Sequence, residues 1–161
     1  MIDELPTRAA LTAAAFLLLA TGLSVLSVFG GDAARDAAQA LAGHLGRALD
    51  EVGAIDGTAI FRGGVGVAGP FELPPNLAGS SYRIEVRTTD VRVLVGAVVA
   101  VAGLRTPVHP FAPDRESYPK DDLRILDAAI LSVGAGTVFV VERSARLVDG
   151  APAFLTFVHL P

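Results

Sequence analysis

Residues 9–31 read AALTAAAFLLLATGLSVLSVFGG, twenty-three residues without a charge between Arg8 and Asp32. At about 1.5 Å per helical residue this run reaches roughly 35 Å, enough for a hydrocarbon core of about 30 Å. A cleaved secretory leader has an apolar region of about 7–15 residues behind a basic start. Here the start is MIDELPTR, with two acids and one base. The stretch therefore reads as an uncleaved membrane-spanning helix or as the packed core of a helical bundle. A conventional leader and a buried helix of a soluble fold are the alternatives.

Helix-forming character continues past Asp32. Residues 33–52 lack proline and are rich in alanine and leucine, both good helix formers. Ala34, Ala38, Leu41, Leu45, Ala48 and Val52 recur at helical spacing, which makes one apolar stripe. Arg35, Asp36, Gln39, Arg47, Asp50 and Glu51 take the other side. Gly53 is a plausible helix stop, and Pro6 suits the first turn of a helix start. A rod from Pro6 to Val52 would span roughly 70 Å, with Gly30-Gly31 as the place for a bend. The stripe is expected to pack on the chain's own β-rich part.

After Gly57 the composition shifts toward Val, Ile, Phe, Tyr and Thr. Strands are predicted over 58–67, 81–88, 90–104, 137–143 and 153–160. Tyr82, Ile84 and Val86 alternate with Arg83, Glu85 and Arg87, as in a half-buried strand. The run 90–104 turns wholly apolar and reads as a central strand. Val148-Asp149-Gly150-Ala151 offers a hairpin turn. Residues 123–133 fit a strand or a short helix, and both stay open. Residues 106–122, with four prolines and six charges, read as a long surface loop. The fold class is α+β: a long N-terminal hydrophobic helix with an amphipathic continuation, then an antiparallel β-sandwich-like domain.

Bulk properties exclude several functions. The formal net charge is -4 and the thirteen cations are scattered, so no nucleic-acid partner is expected. The absence of cysteine removes disulfides, thiolate metal sites and a cysteine nucleophile. Gly64-Val65-Gly66-Val67-Ala68-Gly69 matches a dinucleotide fingerprint literally. It leads into Pro70-Phe71-Glu72-Leu73-Pro74-Pro75, which cannot open the helix that a pyrophosphate needs. These read as strand or bulge glycines. His44, His109 and His159 fall on different elements without a metal-type partner. Asp114, Glu116, Asp121 and Asp122 lack the regular spacing of a calcium loop and read as solvated charges. Ser80, Ser81, Ser117, Ser132 and Ser144 include no nucleophile elbow. No catalytic residue, cofactor or metal ligand is assigned, and an enzyme is not expected.

An apolar helix, its amphipathic continuation and a β-rich domain together resemble archaeal type IV pilins and pilin-like membrane-anchored proteins. Thr7-Arg8-Ala9-Ala10-Leu11 stands where the family has its processing motif, a basic residue followed by a small one. The resemblance thus implies prepilin processing at Arg8 and Ala9, with cleavage before Ala10. Residues 73–84 are similar to the family's proline-led approach to a Tyr-x-Ile strand. Two features depart from the pattern. Ala14 occupies the place of the family's early glutamate, and Asn76, the only asparagine, is not in a glycosylation sequon.

The resemblance implies a short tail at 1–8, a transmembrane or filament-core helix at 9–31, its amphipathic continuation at 32–53 and a β-rich globular domain at 54–161. Helix–helix packing would use Ala13, Ala14, Phe16, Leu17, Leu18, Leu19, Gly22, Leu26 and Phe29, small residues among them permitting close approach. The implied function is a structural or accessory pilin-like subunit of a cell-surface filament, at the cell membrane with an extracytoplasmic domain or in the filament itself. Its partners would be other copies, other pilin-like subunits and the lipid bilayer. The alternative is a singly anchored β-sandwich that binds a partner through the 106–122 loop.

Overall fold

Helix α1 spans residues 31–53 in the computed structural model, which describes residues 31–111, 128–148 and 150–159. The chain divides into two units, Met1–Ala33 and Ala34–Pro161, and the architecture here is that of the second. Ala34, Ala38, Leu41, Leu45, Ala48 and Val52 are all buried, joined by Ala42 and Leu49. The buried face is therefore wider than a single stripe, as a helix covered by sheets requires. Arg35, Asp36, Gln39, Arg47 and Glu51 stay exposed.

Nine strands come after it: β1 Ala59–Val65, β2 Glu72–Leu73, β3 Tyr82–Arg87, β4 Asp90–Val95, β5 Val98–Gly103, β6 Val108–Phe111, β7 Ala128–Val133, β8 Val138–Val148 and β9 Ala151–His159. They form a five-stranded sheet, β2-β1-β8-β9-β6, and a four-stranded sheet, β5-β4-β3-β7. Strand β6 also touches β3 and β7 of the other sheet, so the strands curl into a half-barrel. Two pairings, β1 with β2 and β6 with β9, are parallel. The core is continuous from α1 to both sheets. Leu45 and Leu49 meet Phe71, Ile84, Val86, Val91, Leu131, Phe139 and Val158 around a cavity of about 20 Å³.

The expected α+β class with a long N-terminal hydrophobic helix is corrected by this architecture, which among the described residues is mainly β with one helix. No helix among the described residues is long and apolar enough to cross a membrane. The physical reason lies in α1 itself: Asp32, Arg35, Asp36, Arg47, Asp50 and Glu51 interrupt any apolar window along it. Residues 9–31 carried the expectation of a transmembrane or filament-core helix, and all but Gly31 lie outside the described residues. The descriptions as transmembrane, type IV pilus and filament protein lose their structural footing with it. The antiparallel β-sandwich is replaced by a five-stranded sheet with mixed pairing and a four-stranded antiparallel sheet.

Three local expectations change as well. The run 90–104 is a hairpin, turned at Gly96 with φ 56°, and its second half is an edge strand. The first part of the expected 106–122 loop is β6, with Val108 and Pro110 fully buried; residues 112–122 lie outside the described residues. Of the undecided 123–133, the described part is strand β7.

One polar clamp ties α1 to the sheet. Asp50 Oδ1 accepts hydrogen bonds from the backbone N–H of Arg105 at 2.8 Å and of Thr106 at 3.0 Å. Close by, Gly53 leaves no room for a Cβ against the Thr106 side chain. Bonds from two amides to one carboxylate are charge-assisted. Asp50→Ala should therefore lower stability by about 2 kcal/mol, with Asp50→Asn recovering part of the loss. Chemical denaturation checks this, and an unchanged midpoint would show that the β5–β6 connection is held by other contacts.

Candidate interaction surface

Hairpin β8–β9 is the longest element of the sheet, and its outer part has no paired strand beside it among the described residues. Strand β1 pairs with β8 only as far as Arg143, opposite Ala59. Strand β6 pairs with β9 only from Thr156, opposite Val108. Five residue pairs, from Ser144 with Leu155 to Val148 with Ala151, continue beyond both. Among the described residues they form a two-stranded ribbon with a free edge on each side.

Alternation divides the ribbon into two faces. Ala145, Leu147, Pro152 and Phe154 share the face that continues the core side of the sheet. Leu147 is 68% exposed and Phe154 42%. Ser144, Arg146, Val148, Ala151, Ala153 and Leu155 share the other. The only charge on the described ribbon residues is that of Arg146. Exposed apolar side chains without charges between them mark contact surfaces more often than solvated ones.

Two arginines brace the ribbon at its base, one on each face. Arg143 Nε donates to the Ile55 carbonyl at 2.7 Å, Nη1 donates to Thr156 Oγ1 at 3.2 Å, and the guanidinium lies 5.8 Å from the Phe154 ring centre. This ties the ribbon to the segment that leaves α1. Arg146 lies 5.4 Å from the Phe157 ring centre and 3.7 Å from Glu142. Phe157 is buried although it sits on the outer face of the sheet. Isolated two-stranded ribbons are marginal in water; these contacts give this one a fixed direction.

A small histidine cluster adjoins the base. His159 Nε2 is 3.0 Å from Glu142 Oε2, and Phe157 lies between the rings of His109 at 5.6 Å and His159 at 6.2 Å. Burial lowers the His109 pKa from the ordinary histidine value. Its Nδ1 has no hydrogen-bond partner among the described residues. The unfolded chain thus takes up a proton more readily than the folded one. The stability from neutral His109 is full above the ordinary value of about 6.5 and is lost as pH falls below it. Between pH 7 and pH 5 the melting temperature of wild type should fall further than that of His109→Phe, in which the His159–Glu142 pair remains. Parallel pH profiles would show that His109 does not carry this dependence.

The second exposed apolar feature is the free edge of the four-stranded sheet. Strand β5 pairs only with β4 among the described strands. Val99 and Val101, on its outer face, are 54% and 46% exposed. The Val101 carbonyl accepts a long contact from the Gln39 amide at 3.5 Å. A groove runs between this edge and α1, lined in part by Gly43, Gly46, Arg47, Ala102 and Gly103. Farther in on the same sheet, salt bridges join Arg87 to Glu85 and Arg92 to Asp90.

The residues singled out in the sequence fall elsewhere. Arg8, Ala9 and Ala10, and the packing set Ala13, Ala14, Phe16, Leu17, Leu18, Leu19, Gly22, Leu26 and Phe29, lie outside the described residues. So do Asp114, Glu116, Asp121, Asp122 and Ser117. His44 is exposed on α1, away from the strands that hold His109 and His159. The glycine-rich stretch runs from β1 into β2, a strand parallel to β1, and does not open a helix. The core cavity is lined by apolar residues alone, which suits neither water nor a polar ligand. Among the described residues no cluster of three or more His, Asp or Glu side chains could hold a metal ion. No protein-family model, curated protein or solved structure matches the chain.

Proposed function

We propose that this protein is a structural, pilin-like subunit of a cell-surface assembly, with the half-barrel displayed outside the cell. The observation that carries the reading is the braced ribbon: an apolar, nearly charge-free projection held rigid at its base, with Leu147 and Phe154 exposed. Rigid apolar projections lose little entropy on docking and favour protein contacts. A second support is the chain order, in which an uncharged run of twenty-three residues leads directly into α1, whose apolar face is spent on its own core.

Sedimentation velocity of the full-length chain, purified in mild detergent, tests the reading. Concentration-dependent species larger than a monomer are expected, together with N-terminal sequencing of the native protein that begins at Ala10. A chain that stays monomeric at high concentration, and in its source cells forms no surface assembly, would overturn it.

A further inference from the structure

We infer that Asp56-Gly57, in the bend between α1 and β1, is a site of spontaneous backbone isomerisation, and that the change loosens the base of the ribbon. The peptide link to Gly57 moves from the main-chain carboxyl of Asp56 to its side-chain carboxyl. This chemistry does not depend on assembly.

An aspartyl side chain closes most readily onto the next amide when glycine follows, because no Cβ shields the nitrogen. Asp-Gly occurs in this chain at 56–57 and at 149–150. Asp56 is exposed, and its pair lies in a bend outside both α1 and β1. Neither a helical hydrogen bond nor a strand ladder therefore fixes the dihedral angles that ring closure must change. A Cβ built on Gly57 meets nothing within 4 Å, so the space beside its backbone is open. Gly57 has φ 123°, a conformation that favours glycine. The turn thus demands the residue that makes the preceding aspartate labile.

The reaction needs no co-reactant except water. The Gly57 nitrogen attacks Cγ of the protonated Asp56 carboxyl, and the amide proton leaves with the carboxyl hydroxyl as water, which closes a five-membered succinimide. Water then adds to one ring carbonyl. Opening at Cγ restores aspartate, whereas opening at the main-chain carbonyl leaves the chain running through Cβ and Cγ. The product is an isoaspartate of unchanged composition, with one methylene added to the main-chain path. That addition falls where the chain is anchored closely on both sides. The Ile55 carbonyl accepts from Arg143 Nε at 2.7 Å, and Ala59 pairs with Arg143 through the backbone. Only residues 56–58 lie between these anchors. Arg143 also donates to Thr156 and lies over the Phe154 ring, so a displaced connection disturbs the ribbon base.

The test keeps the full-length chain, in mild detergent, and the free peptide of residues 54–59 warm at neutral pH. Peptide mapping follows both. Succinimide shows as the loss of one water, and isoaspartate as a bond that a protease cutting before aspartate no longer cleaves. Conversion at Asp56 in the folded chain should run within about threefold of the peptide's rate, as for an unprotected segment. A rate more than about tenfold slower than the peptide's would show that the fold protects the site, and overturns the inference. Asp56→Glu, whose ring closure would need six members, should show no conversion at this position. After the same incubation the wild-type chain should melt a few degrees below Asp56→Glu, measured against each chain before incubation. Extensive conversion at Asp56 with no such difference overturns the loosening of the ribbon base.

Discussion

Gly64→Ala should unfold the protein or lower its melting temperature by on the order of 20 °C, the largest effect expected of any single methyl group in the described structure. Gly64 has φ 147°, a region that only glycine occupies readily. A Cβ there would stand 2.1 Å from the Thr137 carbonyl oxygen and 2.9 Å from Val138 Cα. Both obstacles are backbone, so no side-chain rotation relieves them. The strand cannot shift either. Gly64 N–H donates to Phe71 O and Val65 N–H to Thr137 O, each at 3.0 Å, which holds this point of β1 from both sides. Strain and overlap together should cost roughly 4 kcal/mol or more. Gly66→Ala is the control: its φ is also positive, at 74°, but a Cβ there meets nothing within 4 Å. It should cost about 1–2 kcal/mol. Thermal unfolding followed by circular dichroism decides the matter, and equal melting temperatures for the two variants would refute the steric account.

Phe71→Ala comes second, with an expected loss of about 3–5 kcal/mol. Phe71 is fully buried and meets Phe61 and Phe139 edge-on, at centroid distances of 6.1 and 5.9 Å. Such aromatic pairs add to the burial energy. The cavity bounded by Phe71, Leu45 and Leu49 already exists, so removing the ring enlarges a void that the two sheets and α1 cannot easily close. An apolar void of that kind takes up small apolar molecules. Benzene should consequently raise the melting temperature of the variant more than that of wild type. A loss below about 1 kcal/mol, with no benzene effect, would mean that the core collapses around the missing ring.

These two residues show how unevenly the sequence speaks. The glycine-rich stretch is legible as something other than a cofactor loop, because prolines after it prevent a helix from starting. Which of its glycines is indispensable is not legible, since that depends on Thr137, far away in the chain. The alternation of Tyr82, Ile84 and Val86 reads directly as an inward face, and all three are buried. The continuous run 90–104 misleads for a physical reason. Apolar residues on both faces look like a central strand, yet Val99 and Val101 face outward on an edge. The turn at 148–151 is visible in sequence, but the ribbon is not. Its strands read as ending near Arg143 and beginning near Ala153, because Ala145, Ala151 and Pro152 carry little strand preference. Leu147-Val148 and Phe154-Leu155 on either side of the turn were the available signal.

By itself the sequence determined the amphipathic face of α1, the strand-forming character of the chain beyond Gly57 and the absence of cysteine chemistry. Each depends on periodicity or composition, which are local properties. Only the tertiary structure decided that the buried face of α1 meets both sheets, that β6 joins the core and that the β8–β9 hairpin outruns its neighbours. Those outcomes depend on where strand pairing stops and on which groups fill the space between distant segments. The long-range register between β1, β6, β8 and β9 holds that information, and no window along the chain contains it.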